Sequence, residues 1–267
     1  MLEIKNAVKT FLAGTVNAHV ALDDLTMLLE AGEFVTVIGS NGAGKSTLFN
    51  AVGGTFLLDS GSVTLDGKDI TWLAEHRRAS MIGRIFQDPL KGTAPDMTIE
   101  ENLALAYARK RLSVLRQGVQ KKDVAFFREE LSRFGMGLEN RMKSKVGLLS
   151  GGQRQALTLL MATIAGPQLL LLDEHTAALD PAAATKVMEI TKEIVAREHL
   201  TTMMITHNIQ AALKTGTRTI MLEDGRIILD IFGEEREKMT VSRLMELYSQ
   251  QGKRALDNDR MLFTRDE

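Results

Sequence analysis

The chain has 267 residues, of which 25% are charged, with a formal net charge of -1 and no cysteine. That length gives one large domain or two closely joined ones; the balanced charge argues against a dedicated nucleic-acid binder, whose phosphate contacts draw on a basic excess; and the absence of cysteine excludes disulfides and thiolate metal sites. The segment Met1-Leu2-Glu3-Ile4-Lys5 lacks the apolar core of a secretory signal, and no apolar run approaches the roughly 18 to 20 residues needed to cross a bilayer. The polypeptide is therefore expected to be soluble by itself, with any membrane role exercised through a partner.

Residues 2 to 38 alternate short apolar runs with turn signals at Ala13-Gly14-Thr15 and Ala31-Gly32-Glu33, which predicts an antiparallel β layer. Phe11 lies in Val8-Lys9-Thr10-Phe11; its ring could stack on a purine, although the residues alone favour a place in the core. Phe34-Val35-Thr36-Val37-Ile38 reads as a buried strand. It feeds Gly39-Ser40-Asn41-Gly42-Ala43-Gly44-Lys45-Ser46-Thr47 and then a helix from Leu48, the context that a phosphate-binding loop requires. Glycines let backbone N–H groups approach a phosphate, and the helix start adds partial positive charge. Lys45 brings a full charge to the β- and γ-phosphates, and the Ser46 hydroxyl is placed to ligate magnesium.

Further along, Asp59 to Ile70 reads as two short strands turning at Asp66-Gly67. Ile82 to Phe86 is a strand followed by Gln87-Asp88-Pro89, so Gln87 faces a loop, where its amide could reach a metal or a water or lie on a bland surface. From Thr98 to about Met161 the pattern turns helical, opening on a capping box at Thr98-Ile99-Glu100-Glu101. Leu103, Leu105, Tyr107, Phe126, Phe127, Leu131 and Phe134 supply apolar faces, and the basic cluster between Arg109 and Lys122 reads as a solvated face or loop. This block is expected to be a helical subdomain inserted into an α/β core. Within it, Leu149-Ser150-Gly151-Gly152-Gln153 precedes a helix, and a serine with two glycines at a helix start makes a second nest of backbone donors. Two phosphate sites and one γ-phosphate suggest two chains sharing each nucleotide.

Leu169-Leu170-Leu171-Leu172-Asp173-Glu174 reads as a fully buried parallel strand ending in two carboxylates. Asp173 can hold a magnesium shell, and Glu174, one residue on, can meet a water beyond the γ-phosphate. Ala178-Leu179-Asp180-Pro181 starts a helix running to Arg197, and Thr202 to Thr206 is another strand, ending at His207. That histidine stands at a strand end in step with Gln87 and Glu174, where parallel sheets gather ligands. Thr219 to Leu229 forms a hairpin at Asp224-Gly225, and helical spacing returns at Val241, Leu244, Met245, Leu247 and Tyr248. The tail from Asp257 is expected to be loosely held.

With those residues in order, the chain resembles the nucleotide-binding subunits of ATP-binding-cassette transporters. The resemblance runs to about residue 250 and rests on the Walker A loop Gly39 to Thr47, Gln87, the signature Leu149 to Gln153, the Walker B strand with Glu174, and His207. It implies an α/β fold: a P-loop NTPase core with a mixed, largely parallel sheet, an antiparallel β subdomain, an inserted helical subdomain over about 90–162 and a C-terminal helical extension and tail over 234–267. It also implies ATP and Mg2+ as cofactors, with Ser46, Gln87 and Asp173 toward the metal and Glu174, His207, Lys45 and Gln87 as catalytic residues. Phe11 gains an adenine-stacking role. Asp180 joins the loop that links two sites across a homodimer, in which Ser150, Gly151, Gly152 and Gln153 reach the partner's nucleotide. His175 stands where many members have proline. The finer text around Gly92 to Thr98 and Asp173 to Asp180 looks like an importer group with separate permeases and extracytoplasmic solute receptors, some linked to aromatic amino acids. The expected station is the cytoplasmic face of the membrane, with no nucleic-acid partner. An exporter, a lipid-extraction ATPase or a soluble non-transport cassette ATPase are the alternative readings.

Overall fold

The computed structural model describes residues 1–108 and 120–251. Nearly all of the basic cluster beginning at Arg109, and the tail from Asp257, lie outside the described residues. The chain divides into two compact units, one made of Met1–Arg78 with the chain that returns at Leu200, the other of Ala79–His199.

The first unit opens with β1 (Leu2–Phe11) and β2 (His19–Leu29), which pair antiparallel. Alternation sets their faces: Leu25, Met27 and Leu29 are buried while Asp24, Thr26 and Leu28 point outward. Next comes β3 (Phe34–Gly39), buried along its whole length as a strand covered on both faces must be, and it leads into α1 (Lys45–Gly53). Then β4 (Ser60–Leu65) adds to the free edge of β1, and β5 (Lys68–Asp69) follows across the Asp66-Gly67 turn, giving the order β2-β1-β4-β5. A short helix, α2 (Glu75–Arg78), closes this segment.

Arg78 holds the far end of α1. Its side chain, 1% exposed, donates from Nη1 to the carbonyls of Ala51 (2.7 Å) and Val52 (2.8 Å), from Nε to Leu73 (2.8 Å) and from Nη2 to Thr71 (2.9 Å). The last carbonyls of a helix have no intrahelical partner and carry its negative pole, so a guanidinium there satisfies them and gains from the dipole. Burial still lowers the Arg78 pKa. Room for the group comes from Gly54, where a Cβ would stand 2.8 Å from Arg78 Nε.

In the second unit, β6 (Ile82–Ile85) lies parallel to the later β7, with Ile82 opposite Leu169 and Ile85 opposite Leu172. After a 3-10 turn at Pro89–Gly92, α3 (Ile99–Ala108) starts on the expected capping box: Thr98 N donates to Glu101 Oε2 at 2.7 Å and Glu101 N to Thr98 Oγ1 at 3.3 Å. Next follow α4 (Lys121–Ser132), α5 (Gly151–Thr163), β7 (Leu169–Asp173) and α6 (Pro181–Glu198). Leu103, Phe127, Leu131 and Phe134 are buried as read, but Leu105 is 56% and Phe126 37% exposed. The buried positions of α3 are Ile99, Glu100, Asn102, Leu103 and Ala106, and of these Ile99, Asn102, Leu103 and Ala106 fall at helical spacing, which turns Leu105 to the opposite side.

The returning chain supplies β8 (Thr201–Ile205), α7 (Ile209–Thr215), β9 (Arg218–Glu223), β10 (Arg226–Phe232), α8 (Gly233–Glu237) and α9 (Val241–Gln251). Within this unit β3 lies between β8 and β9, parallel to both, and β10 closes antiparallel on β9 through the Asp224-Gly225 turn, both of whose residues have positive φ. Leu244 and Tyr248 of α9 pack with Ile38, Ile209, Ala212 and Met221 in one buried cluster. No described helix is long and apolar enough to cross a membrane.

Replacing Arg78 by Met should leave several buried carbonyls without donors and lower the unfolding free energy by about 2–4 kcal/mol, read by urea unfolding. A loss below about 0.5 kcal/mol would mean that those carbonyls find other partners.

Candidate functional site

The phosphate loop grows directly out of β3. At Gly39 (φ 147°) a Cβ would overlap the Leu222 carbonyl of β9, so only glycine lets the chain leave the strand this close to its neighbour. Ala43 N donates to Ser40 O at 3.2 Å, and Gly225 N donates to Ala43 O at 3.1 Å, seating the hairpin turn against the loop. Gly44 is the N-cap of α1, and Lys45, the first helical residue, is buried. Its ammonium donates to the carbonyls of Gly39 (2.6 Å) and Ser40 (2.7 Å) and so lies within the loop. Asn41, Gly42 and Ser46 are exposed, Thr47 is half-buried, and Ser40 Oγ donates to Glu223 Oε2 at 3.1 Å.

Phe11 corrects one expectation: it is not core. Its ring, at the end of β1, is 37% exposed and meets Phe56 edge-on at 5.4 Å, with Lys9 Nζ 5.9 Å from its centroid. Nearby, the Lys9 ammonium and the Thr10 N–H hold the Asp59 carboxyl below the usual carboxylate range. An aromatic face left open beside a cation is suited to a flat, electron-rich base. His207, also in the first unit, follows β8 by two residues and is half-buried.

The second unit carries the carboxylates. Asp173 ends β7, and Glu174 then takes a left-handed backbone, φ 46°, which turns the chain out of the strand. Such a conformation is rare for a residue with a Cβ and costs of order 1 kcal/mol. Arg84 Nη2 stands 3.9 Å from Asp173 Oδ2, and exposed Gln87 donates from Nε2 to Glu174 Oε2 at 3.3 Å. A glutamine and a glutamate that follow two different strands are thus joined by a hydrogen bond.

His175, where the resemblance puts proline, is buried. Its Nε2 lies 3.0 Å from Thr191 Oγ1, and that hydroxyl donates onward to Val187 O at 2.8 Å. The threonine oxygen therefore accepts, which puts the imidazole proton on Nε2. Burial pushes the His175 pKa down to about 4, so the ring is neutral at pH 7.

The signature segment begins α5. Ser150 is its N-cap in a full capping box: Ser150 Oγ accepts from Gln153 N, and Gln153 Oε1 accepts from Ser150 N, both at 3.3 Å. The Gln153 amide also donates to Met136 O at 3.2 Å, which ties the helix start to its own unit. By helix geometry the N–H groups of Gly151 and Gly152 point beyond the helix start, as an anion site needs. Asp180 caps α6, accepting from Ala183 N at 3.0 Å, with Pro181 at the first helical position. Arg84 and Glu223 carry no signal in the sequence beyond their places in strands, and their partners, Asp173 and Ser40, lie far along the chain.

A buried lysine at a helix start, behind a glycine loop fed by a parallel strand, defines a phosphate-loop nucleoside triphosphatase. Residues 22–177 match the ABC transporter family. A tyrosine transport ATP-binding protein of Clostridioides difficile (strain R20291) is 44% identical over 93% of this chain and 98% of its own length. The thiamine import ATP-binding protein of Escherichia coli (strain K12) is 34% identical over 76% of this chain and 82% of its own. Among solved structures, a dimeric ATP-binding cassette in a post-hydrolysis state, bound to ADP and Pi, matches with a TM-score of 0.74 at 28% identity, over 87% of this chain and 98% of the other. The chain belongs to the ABC transporter family, binds ATP and is an ATPase with the P-loop cassette fold.

His175 also gives the protein a pH signature. Because its folded pKa lies below the unfolded 6.5, the unfolded state binds the extra proton between pH 6.5 and 4, and stability falls as pH falls through that window. From pH 7 to pH 5 the nucleotide-free protein should lose about 2 kcal/mol from this group. Urea unfolding of His175→Gln should lack that component, and an unchanged acid slope in the variant would assign it elsewhere.

Proposed function

We propose that this chain powers an importer: two copies pair head to tail and work on the cytoplasmic face of a membrane beneath a separate permease, fed by an extracytoplasmic solute-binding protein. The observation that carries the pairing is the presence of two anion-directed helix starts in one chain, at Lys45 and at Gly151. A single γ-phosphate needs both, so the second comes from the neighbouring copy. An amino-acid solute is the reading supported by the tyrosine transport relative, whose length this chain matches almost throughout, and import is supported by the thiamine import relative.

In this reading Phe11 stacks on the adenine, and the loop Gly39 to Thr47 wraps the phosphates. Lys45 turns from the loop carbonyls to the β- and γ-phosphates. Ser150, Gly151 and Gly152 of one copy donate to the γ-phosphate held by the other, with Gln153 fixing their helix start and Asp180 ordering the loop between the paired sites. Among the described residues no group of three or more His, Cys, Asp or Glu could hold a metal by itself. Magnesium does not require one, since it is held by one or two carboxylates together with nucleotide phosphates and water, and the hard oxygens of Ser46, Gln87 and Asp173 suit it. When bound, it neutralises phosphate charge. Glu174 orients the attacking water and takes its proton, and its hydrogen bond from Gln87 sets the direction of the carboxylate. His207 and Lys45 stabilise the charge that gathers on the transferring group. Loss of the γ-phosphate removes what joins the two copies, and Gln87, on a loop directed to the permease, reports that change.

Glu174→Gln should slow phosphate release by roughly 10²- to 10⁴-fold while ATP-bound dimers accumulate on size exclusion. Near-normal turnover would take Glu174 out of the role. Lys45→Ala should instead weaken ATP binding, seen by equilibrium titration; wild-type affinity in that variant would reassign the loop.

A further inference from the structure

The C-terminal helix reaches the phosphate loop through one carboxylate. Glu223 ends β9, beside the position where Leu222 pairs with Gly39. Its Oε2 accepts two hydroxyls: Ser40 Oγ from the loop at 3.1 Å and Tyr248 Oη from α9 at 2.9 Å. Tyr248 is 3% exposed, and it shares a buried cluster with Ile38, the residue immediately before the loop. Ser40 is therefore gripped twice, at its hydroxyl by Glu223 and at its carbonyl by Lys45. A half-buried carboxylate oxygen that bridges two hydroxyls makes charge-assisted bonds, the stronger kind, and fixes both donors relative to each other.

We infer that Tyr248, acting through Glu223, positions Ser40, and that α9 is thereby part of the ATP-binding apparatus. The inference rests on the reading of Gly39 to Thr47 as the ATP cradle. A loop residue already held in place has less freedom to lose when the backbone closes round a phosphate, so the anchor shows up as affinity. Tyr248 and Glu223 are positioning residues, since neither needs to touch the nucleotide. The plain alternative is that Tyr248 packs its ring in the core and its hydroxyl merely finds a convenient acceptor.

Tyr248→Phe separates the two, because it keeps the ring and removes only the hydroxyl. In the full chain without nucleotide, hydrogen exchange over Ser40 to Gly44 should quicken by about tenfold in this variant, the scale of one bond to a charged group. Exchange in β1 and β2 should not move. With MgATP, KM should rise about five- to tenfold while kcat changes less than about twofold, since the anchor acts on loop ordering and not on the reacting groups. Glu223→Gln, which keeps an acceptor, should fall between wild type and Glu223→Ala. Adding Tyr248→Phe to Glu223→Ala should cost little more, because both break the same link. Loop exchange and KM at wild-type values in Tyr248→Phe would overturn the inference, even if the melting temperature dropped. A wild-type chain that bound no ATP would sink the functional reading and the affinity half of this one, while the exchange result, obtained without nucleotide, would still decide whether Tyr248 holds Ser40.

Discussion

The chemistry of this protein depends on a close approach between two backbones. Where β3 ends, the Leu222 carbonyl of β9 occupies the space that any side chain at residue 39 would need. The chain can leave the strand there only as glycine, and it leaves in a backbone conformation that starts the loop. Lys45 follows at the head of α1, its ammonium drawn into the loop by two carbonyls, while Arg78 satisfies the carbonyls at the other end of the same helix. A nine-residue helix is too short to be stable on its own propensity. Both ends are held by tertiary contacts, and the cradle inherits its order from them.

In the second unit, two adjacent acids differ in backbone geometry. Asp173 keeps the strand's direction; Glu174, in the left-handed region, does not. Strain of that kind is stored where a function needs a side chain re-aimed. The next residue, His175, is buried against Thr191, where a neutral imidazole needs no counter-charge. His175 is instead held by its hydrogen bond to Thr191.

Much of this was legible in the residues. Burial of β3 and of Leu169 to Leu172 in β7 follows from apolar runs, interrupted in β3 by Thr36 alone, the hairpins follow from Asp-Gly pairs, and the starts of α3 and α5 follow from Thr98 and Ser150 with their partners three residues on. Phe11 misled because an aromatic in a strand is core by default, and only the sheet end and Phe56 leave its face open. Leu105 and Phe126 misled because an apolar residue in a helix counts equally toward two faces until a neighbour selects one. Arg78 and Glu223 gave no signal, since what they hold lies 26 and 183 positions away at Val52 and Ser40. Contacts of that span carry no local period. Local patterns thus define the elements and the motif loops, and the long-range polar bonds that steady those loops emerge only in three dimensions.

The position of β3 in its sheet has a consequence for biosynthesis. Its partners on either side within the first unit, β8 and β9, begin at Thr201 and Arg218, so an apolar strand made early waits unpaired until more than 160 further residues have been translated. The intervening unit, contiguous in sequence, has every pairing of β6 and α5 available to it before then. A nascent chain therefore carries its phosphate-loop strand with unpaired apolar edges until β8 and β9 are made, the kind of exposure that favours aggregation during synthesis.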